Sequence, residues 1–399
     1  MAICVYSYTT LNYALLCIIM QGFMIPSLLP TYSPYPLAMV RGEGDLIIDD
    51  QGQSWIDLYG GHCVCSTGHS HPKVVEAIHK QSKQLIFYST AGELKIRREA
   101  ADNLIAFSGM DTLFFCNSGA EANENALKLS FEITGRKAFG SFQGGWHGRT
   151  LLALTVTDDI KITKAFEGIF PEHYRFPFGD ISALESINFS NLACVIVEPI
   201  QSMSGIRTAP LTWFSALRKK CTDAGCLLVF DEIQTGVGRL GVPYASDYFK
   251  VKPDFITSAK GLASGIPIGA LLMTEGMAKD VKSHMLGSTF GGGPIACAAL
   301  IATLDIIRDE RLMEHAKSMQ SYLVDALKNT VIDEVKGIGL LLGLKTSNAS
   351  DLKTYLLSQR ILIGSSSDPN VLRLMPPLNV RKSSLEYLVE HIRAYGSMS

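Results

Sequence analysis

Residues 193–232 decide the fold, and they read ACVIVEPIQSMSGIRTAPLTWFSALRKKCTDAGCLLVFDE. The apolar runs ACVIV and CLLVF have the length and composition of buried strands, and the amphipathic helical pattern between them ends at Gly225. A strand–helix–strand unit of this kind forms a right-handed crossover, so its strands lie side by side and parallel. Glu198 and Asp231 are therefore expected at the same end of the sheet, which is where open α/β sheets bind ligands.

The composition is that of a globular enzyme large enough for more than one domain, with 399 residues of which 47% are hydrophobic and 19% charged. Because 36 basic side chains face 38 acidic ones, nucleic acid is not an expected partner. The nine cysteines are scattered without a C-x-x-C pair, which favours reduced thiols and a cytoplasmic location.

The apolar N-terminal extension, residues 1–30, contains no Lys, Arg, Asp or Glu. It lacks the basic region of a secretory signal, and a Gln-Gly pair interrupts the apolar run that a spanning helix would need, so membrane attachment is not expected. An anchor or signal remains one interpretation. The others are an ordered arm packed on a subunit, and an upstream start ahead of a natural beginning near Met24.

A second strand ends at Asn117, and a helical pattern follows it. Ser118, Gly119 and Ala120 occupy the start of this helix, where small residues leave backbone N–H groups at the positive end of the helix dipole free to bind phosphate. The structural alternative is an ordinary serine cap followed by a packing glycine.

Two nucleotide-binding interpretations fail on their own requirements. LLVFDE is similar to the magnesium-binding strand of a P-loop ATPase, but the sequence contains no G-x-x-x-x-G-K-[ST] loop. Gly236, Gly238 and Gly241 spell G-x-G-x-x-G, but they do not open a helix, and no acid follows about 20 residues later. These glycines predict a tight turn.

Lys260 lies in residues 253–273, PDFITSAKGLASGIPIGALLM, in a short loop between two apolar runs. Its small neighbours leave room beside the amine, although a surface loop lysine is the simpler interpretation. A pyridoxal phosphate site needs a Schiff-base lysine, an acid at the ring nitrogen, a phosphate site and a flat stacking partner. Candidates for all four are present in the sequence.

Five motifs together, LLVFDEIQTGVGRLG, TSAKGLASGIPIGA, NSGAEANENALKLS, WHGRT and GSTFGGGP, resemble those of the class III pyridoxal-phosphate aminotransferases. The resemblance covers the chain from about Tyr35 to its end. The nearest subgroup is that of the acetylornithine aminotransferases, and ornithine, 4-aminobutyrate and acetyl-lysine transaminases are alternatives. The resemblance to the class implies fold type I. This fold has an α/β large domain with a mainly parallel seven-stranded sheet (63–302), and a smaller α+β domain formed by 31–62 and 303–399.

The resemblance also implies roles for individual residues. Lys260 would form the Schiff base and later move a proton, and Asp231, at the end of its strand, would pair with the ring nitrogen. The other cofactor-binding residues that it implies are Ser118, Gly119, Ala120, Trp146, Glu198, Gln234 and Thr289. The substrate-binding residues that it implies are Arg149, Ser288 and Arg373.

The reaction implied by the resemblance moves the terminal amino group of an acylated diamino acid to 2-oxoglutarate, which leaves as glutamate. Thr289 would reach the cofactor of a second subunit, so a homodimer with shared active sites is expected. At EPIQSMSG the sequence departs from the family, because Met203 stands where relatives carry a glutamate that masks Arg373. We expect the unmasked arginine to favour acylated donors over free ornithine, although Met203 as simple packing is an equal interpretation.

A cluster of soft ligands occurs in GGHCVCSTGHSHP, residues 60–72. It comprises His62, Cys63, Cys65, His69 and His71. Their spacing does not match C-x-x-C or H-x-x-x-H patterns, so no metal is expected. The resemblance makes GHSHP the entry to a helix near the mouth of the active site.

Overall fold

A computed structural model of the protein describes residues 28–397. Except for its last three residues, the apolar extension predicted for 1–30 lies outside this part of the chain. Each helix within 28–397 is too short or too polar to cross a bilayer.

Strands and helices alternate along the described chain, as the sequence predicts for an α/β protein. The strands are β1 (Met39–Glu43), β2 (Leu46–Asp49), β3 (Ser54–Asp57), β4 (Thr112–Cys116), β5 (Ala138–Phe142), β6 (His173–Phe176), β7 (Leu192–Val197), β8 (Ile200–Gln201), β9 (Arg207–Thr208), β10 (Leu227–Asp231), β11 (Phe255–Ser258), β12 (Gly269–Met273), β13 (Glu334–Ile338), β14 (Leu341–Lys345), β15 (Ile361–Leu362), β16 (Gly364–Ser365) and β17 (Val371–Leu374). The helices are α1 (Pro72–Gln84), α2 (Lys95–Ser108), α3 (Gly119–Thr134), α4 (Leu151–Thr155), α5 (Ile160–Thr163), α6 (Ile181–Ser186), α7 (Leu211–Ala224), α8 (Ala245–Phe249), α9 (Glu275–Ala278), α10 (Pro294–Asp309), α11 (Leu312–Ala326), α12 (Ala349–Ser358) and α13 (Lys382–Gly396). Single turns lie at Gly60–Cys63, Lys164–Phe166, Phe189–Asn191 and Lys260–Ala263.

The central sheet has seven strands in the order β4-β12-β11-β10-β7-β5-β6. All neighbouring strands pair in parallel except at β12, which is antiparallel to both β11 and β4. The predicted fold class, a mainly parallel seven-stranded α/β sheet, is confirmed.

The unit at residues 193–232 forms the expected crossover. Strands β7 and β10 pair in parallel, with Phe230 opposite Val197, and α7 ends at Gly225 in the left-handed conformation. Asp231 is the last residue of β10 and Glu198 directly follows β7, so both acids lie at the same edge of the sheet.

Both faces of this sheet are covered, because alternate residues of each strand point to opposite faces. On one face, Leu228 and Phe230 pack with the helix α7, through residues such as Trp213. On the other face, Leu227 and Val229 pack with α3. This burial on two sides explains why the strands read as continuous apolar runs.

Two four-stranded sheets lie outside the central one, with strand orders β1-β2-β3-β15 and β13-β14-β17-β16. In the first, β15 from the C-terminal part of the chain pairs in parallel with β3. The pairing brings an early and a late segment together, as the expected small domain requires. The division at 62/63 and 302/303 stays a prediction, and its second boundary falls inside α10.

The glycine cluster after β10 forms the predicted tight turn, with Gly238 and Gly241 both at φ 78° and joined by a hydrogen bond of 3.0 Å. The turn carries Arg239, which is 1% exposed. Its guanidinium donates to the carbonyl oxygens of Leu340 (3.3 Å) and Pro376, and its own carbonyl accepts from the Leu340 N–H at 2.9 Å. The loop after β10 is thereby fixed to the C-terminal part of the described chain.

Candidate active site

A cavity of about 480 Å³ opens where β4, β7, β10 and β11 end. These strands run in the same direction, so the residues that follow them meet at one edge of the sheet. Nine of the twelve residues predicted for the site line the cavity: Ser118, Gly119, Ala120, Trp146, Arg149, Glu198, Asp231, Gln234 and Lys260.

Lys260 and Asp231 face the same cavity from neighbouring strand ends. Lys260 begins the single turn after β11, with a left-handed φ of 46° that turns its side chain back over the sheet edge. Burial lowers the pKa of the Lys260 ammonium, and the positive charge of Arg373 adds to this effect, although nearby acidic groups oppose it. The amine is therefore easier to deprotonate than a lysine in water.

The Asp231 carboxylate is held by two buried side chains. Its Oδ2 atom accepts hydrogen bonds of 2.8 Å from Asn123 Nδ2 and from His147 Nδ1. Asn123 also donates to the carbonyl oxygen of His147 at 2.7 Å and accepts from the Thr257 hydroxyl at 2.7 Å. The Oδ1 atom receives only a longer bond of 3.2 Å, from the N–H of Ile233. The network fixes the carboxylate and leaves Oδ1 free to accept a further donor in the cavity.

Asn123 and His147 are site residues that were not predicted from the sequence. Asn123 lies one helical turn after Gly119 on α3, so it faces the same direction as the helix start. His147 directly follows Trp146. These positions, close in sequence to predicted site residues, are the signals by which the two could have been found. The contact between Asn123 and His147 could not be predicted, because it depends on packing between segments 24 residues apart.

The start of α3 offers unpaired backbone donors to the cavity. The Ser118 hydroxyl caps the helix by accepting the N–H of Glu121 at 3.2 Å, so the serine cap considered above is present. The N–H groups of Gly119 and Ala120 have no partner within residues 28–397, as expected for a first helical turn. A Cβ atom on Gly119 would lie 2.6 Å from the side chain of Ile233, which lines the cavity, so a larger residue would displace that side chain.

Further walls of the cavity come from Trp146, Glu198 and Gln234. The Trp146 N–H donates to Glu198 Oε1 at 2.7 Å, and the Arg149 guanidinium lies 5.4 Å from the centre of the indole ring. Burial raises the pKa of Glu198 to about 7, and the charge of Asp231 adds to the rise while hydrogen bonding opposes it. The Gln234 side-chain oxygen is buried and lacks a hydrogen-bond partner in the described part of the chain.

Ser288 and Thr289 lie beside the cavity rather than in its wall. Ser288 accepts a hydrogen bond of 3.1 Å from Asn117, which does line the cavity. Thr289 is exposed. A contact of Thr289 with a second subunit therefore stays a prediction.

Arg373 is 3% exposed and is not part of the cavity wall. Its guanidinium donates to the Ser365 carbonyl oxygen (2.6 Å), the Ser202 hydroxyl (3.2 Å) and the Tyr59 hydroxyl (3.0 Å). All three acceptors are neutral. Across residues 28–397, no carboxylate approaches Arg373 within ion-pair distance, so a buried positive charge is available for an anion.

The soft-ligand cluster at residues 60–72 is engaged in hydrogen bonds. His62 contacts the Tyr59 hydroxyl at 2.7 Å, and His69 contacts Asp57 at 2.8 Å. Burial, the largest single effect, lowers the pKa of His69, but the hydrogen bonds and negative charges of Asp57 and Cys65 together outweigh it and raise the pKa to about 10. His71 caps α1 at the position where the resemblance expects a helix entry. No group of three or more candidate metal ligands comes together in the described residues.

The chain matches the family model of class III aminotransferases over residues 29–395. Acetylornithine aminotransferases from Methanosarcina acetivorans and Methanocaldococcus jannaschii are each 37% identical to it, over 90% of this chain and over 92% and 94% of their own lengths. Among solved structures, the ornithine aminotransferase from Toxoplasma gondii has a TM-score of 0.88 at 26% identity and covers 97% of this chain, which in turn covers 96% of that protein. The acetylornithine aminotransferase from Elizabethkingia anophelis has a TM-score of 0.82 at 28% identity, over 98% of this chain and 100% of its own.

Pyridoxal phosphate fits the residues of the cavity. The free N–H groups of Gly119 and Ala120 suit a phosphate, the open Oδ1 of Asp231 suits a protonated ring nitrogen, and the unpaired oxygen of Gln234 suits a hydroxyl donor. A second structure of the Toxoplasma enzyme is described as carrying this cofactor at partial occupancy in its active site. From its motifs, its fold and its relatives, the chain belongs to the class III aminotransferases, whose cofactor is pyridoxal phosphate.

Proposed function

We propose that this aminotransferase moves the terminal amino group of an acylated diamino acid such as N-acetylornithine to 2-oxoglutarate, giving glutamate and a semialdehyde. The names of the relatives that match over 90% of the chain support the donor. The charges around the cavity support both substrates.

The cofactor, when bound, supplies an electron sink for the carbon that loses its proton. In this proposal Asp231 holds a negative charge at the ring nitrogen, and its two buried donors keep it in place. Lys260 carries the amine that bonds to the cofactor and then moves a proton in both half-reactions. Its lowered pKa favours the unprotonated amine, which is the form that accepts a proton.

The remaining contacts with the cofactor follow from the same wall. Ser118, Gly119 and Ala120 would bind its phosphate at the start of α3, and the Gln234 oxygen would accept from its phenolic hydroxyl. Trp146 stacks on the ring, a contact that contributes about 0.5–1.5 kcal/mol beyond burial. The indole is half-buried and forms part of the cavity wall, which supports this role.

The observation that supports 2-oxoglutarate as the amino acceptor is the buried positive charge of Arg373. With Arg149 at the mouth of the cavity, it provides two guanidinium groups for the two carboxylates of 2-oxoglutarate. Ser288 supports the same end of the site through Asn117.

The observation that favours an acylated donor is also electrostatic. Free ornithine would bring a second ammonium group into a site that already holds Arg149, Arg373 and Lys260. Acylation removes that charge, and Met203 supplies no carboxylate to offset it. A donor without a second ammonium therefore binds at lower electrostatic cost.

We further propose a homodimer with shared active sites. Phe290, next to Thr289, is 64% exposed. Its ring centre lies 5.1 Å from that of Phe87, which is 39% exposed. Exposed aromatic pairs of this kind are typical of surfaces that become buried between subunits. A cytoplasmic location is part of the proposal, and the free cysteines of residues 28–397 support it.

The test is a panel of amino donors incubated with the holoenzyme and 2-oxoglutarate, with glutamate as the measured product. The panel comprises N-acetylornithine, N-acetyl-lysine, free ornithine and 4-aminobutyrate. We expect kcat/KM for an acylated donor to exceed that for free ornithine at least tenfold. A preference for free ornithine would refute the charge argument, and a lack of glutamate with every donor would refute the proposed acceptor.

A further inference from the structure

The turn at Gly60–Cys63 has an unusual backbone. All four residues are left-handed, with φ values of 59°, 56°, 65° and 69°, and the last two are His62 and Cys63 rather than glycines. A left-handed residue other than glycine costs roughly 1–2 kcal/mol, and such strain concentrates at functional sites. The turn borders the cavity, because the Cys63 thiol contacts the Gln234 carbonyl oxygen at 3.7 Å and Val64 lines the wall.

A hydrogen-bonded relay runs from Arg373 to this turn. Arg373 Nη2 lies 3.0 Å from the Tyr59 hydroxyl, which in turn lies 2.7 Å from His62 Nδ1. A guanidinium can only donate, so the Tyr59 oxygen accepts from Arg373. Among residues 28–397 the Tyr59 hydroxyl has no other acceptor than His62 Nδ1, so we assign its proton to that hydrogen bond. The ring proton of His62 is then on Nε2, and this atom has no partner within residues 28–397.

The charge state of His62 agrees with this arrangement. Burial lowers the pKa of the imidazole, and the positive charges of Arg373 and Lys260 lower it further. The ring is therefore neutral near pH 7, with one acceptor nitrogen and one donor nitrogen. The acceptor nitrogen, Nδ1, is used by the hydrogen bond from Tyr59, and the donor, Nε2–H, is left for a ligand.

Arg373 retains two donors for a ligand. A guanidinium has five N–H groups, and its hydrogen bonds to Ser365, Ser202 and Tyr59 use three of them, one on each nitrogen. One N–H is left on each terminal nitrogen, and each can donate to a carboxylate oxygen. The carboxylate keeps lone pairs for a further donor from the same side.

We propose that His62 is a specificity-determining residue that donates, through Nε2–H, to the carboxylate bound by Arg373, and that Tyr59 is the positioning residue that orients it. The inference rests on the proposed use of 2-oxoglutarate as amino acceptor. The strained turn at Gly60–Cys63 then positions the His62 imidazole, which is linked to Arg373 through Tyr59. The contact of Cys63 with Gln234 fixes the end of the same turn. His62 and Tyr59 act on the keto-acid half-reaction and not on the amino-donor half-reaction.

The test compares His62→Asn and Tyr59→Phe with the wild-type holoenzyme. Asparagine tolerates the left-handed backbone but does not reach as far as Nε2, and phenylalanine keeps the ring against Arg373 while deleting the hydroxyl. The matched control is Tyr35→Phe, which removes another half-buried hydroxyl, one that donates to the Ile363 carbonyl oxygen at 3.0 Å. Each half-reaction is followed separately through the absorbance of the bound cofactor.

We expect both variants to raise KM for 2-oxoglutarate about tenfold to a hundredfold, the loss of one hydrogen bond to a charged group. The KM for the amino donor and the rate of its half-reaction should change less than twofold, and Tyr35→Phe should match wild type. An unchanged KM for 2-oxoglutarate, or equal rises for both substrates, would overturn the role of His62 while leaving the proposed function intact. Failure of the wild-type enzyme to use 2-oxoglutarate would instead overturn the proposed function.

Discussion

Replacing Asn123 by aspartate sets two carboxyl groups against each other in the interior. The amide nitrogen of Asn123 lies 2.8 Å from Asp231 Oδ2, and Asn123 has no exposed surface. Two negative charges at this separation would repel by about 6 kcal/mol at an effective dielectric constant of about 20. Holding one carboxyl protonated at pH 7 costs less, about 4 kcal/mol from an ordinary pKa of about 3.9. The folded variant will therefore take up a proton.

This proton makes the stability of Asn123→Asp depend on pH in a defined direction. The folded variant binds one proton more than its unfolded chain, so the free energy of unfolding rises as the pH falls and is lost as the pH rises above about 4. The slope is about 1.4 kcal/mol for each pH unit, which gives a loss of about 2.7 kcal/mol relative to wild type between pH 5 and 7. A further loss independent of pH follows because one proton cannot serve both Asp231 and the His147 carbonyl oxygen.

Urea unfolding of the holoenzymes at pH 5, 6 and 7 measures the effect. Asn123→Ala is the control, because it breaks the same hydrogen bonds but introduces no titrating group. Its destabilisation should be constant over this range. If the stability of Asn123→Asp followed that of wild type in parallel from pH 5 to 7, the contact between residues 123 and 231 would not be as described.

Three further predictions concern the cavity itself. Lys260→Ala should abolish transamination and the visible absorbance of the covalently bound cofactor, and a variant that kept both would remove Lys260 from the mechanism. Since the pKa of Glu198 is about 7, its ionisation adds negative charge above that pH, so kcat/KM for 2-oxoglutarate should decline there in wild type. Glu198→Gln keeps an acceptor for the Trp146 N–H and should flatten this limb of the pH profile; an unchanged limb would assign it to another group. Arg373→Lys loses the two-pronged geometry and should raise KM for 2-oxoglutarate about tenfold to a hundredfold, with a smaller effect on the amino donor.

The sequence predicted those parts of the fold that depend on local pattern. The crossover at 193–232 could be recognised because strands buried on both faces read as apolar runs, and because Gly225 marks the end of the helix between them. The antiparallel direction of β12 could not be read in this way, since a buried strand has the same composition in either direction. The motifs predicted Lys260 and Asp231 in one cavity because each lies at the carboxyl end of a strand of the same sheet.

The rest of the site depends on contacts between distant segments. Asn123 and Asp231 are 108 residues apart, and Tyr59 and Arg373 are 314 residues apart. Each of these side chains has an ordinary structural interpretation when it is read alone. Only packing of α3 on the sheet, and of the Gly60–Cys63 turn beside β17, brings the partners together.

Arg239 fixes the distance between two segments that border the site. Its buried hydrogen bonds join the loop after β10 to the Pro376 carbonyl, three residues beyond Arg373. Moving Asp231 away from Arg373 would break these hydrogen bonds and leave the Arg239 guanidinium buried without acceptors, which is costly in free energy. The separation of the two segments is therefore fixed in the free protein, and under the proposed function little ordering entropy is left to be lost when substrate binds.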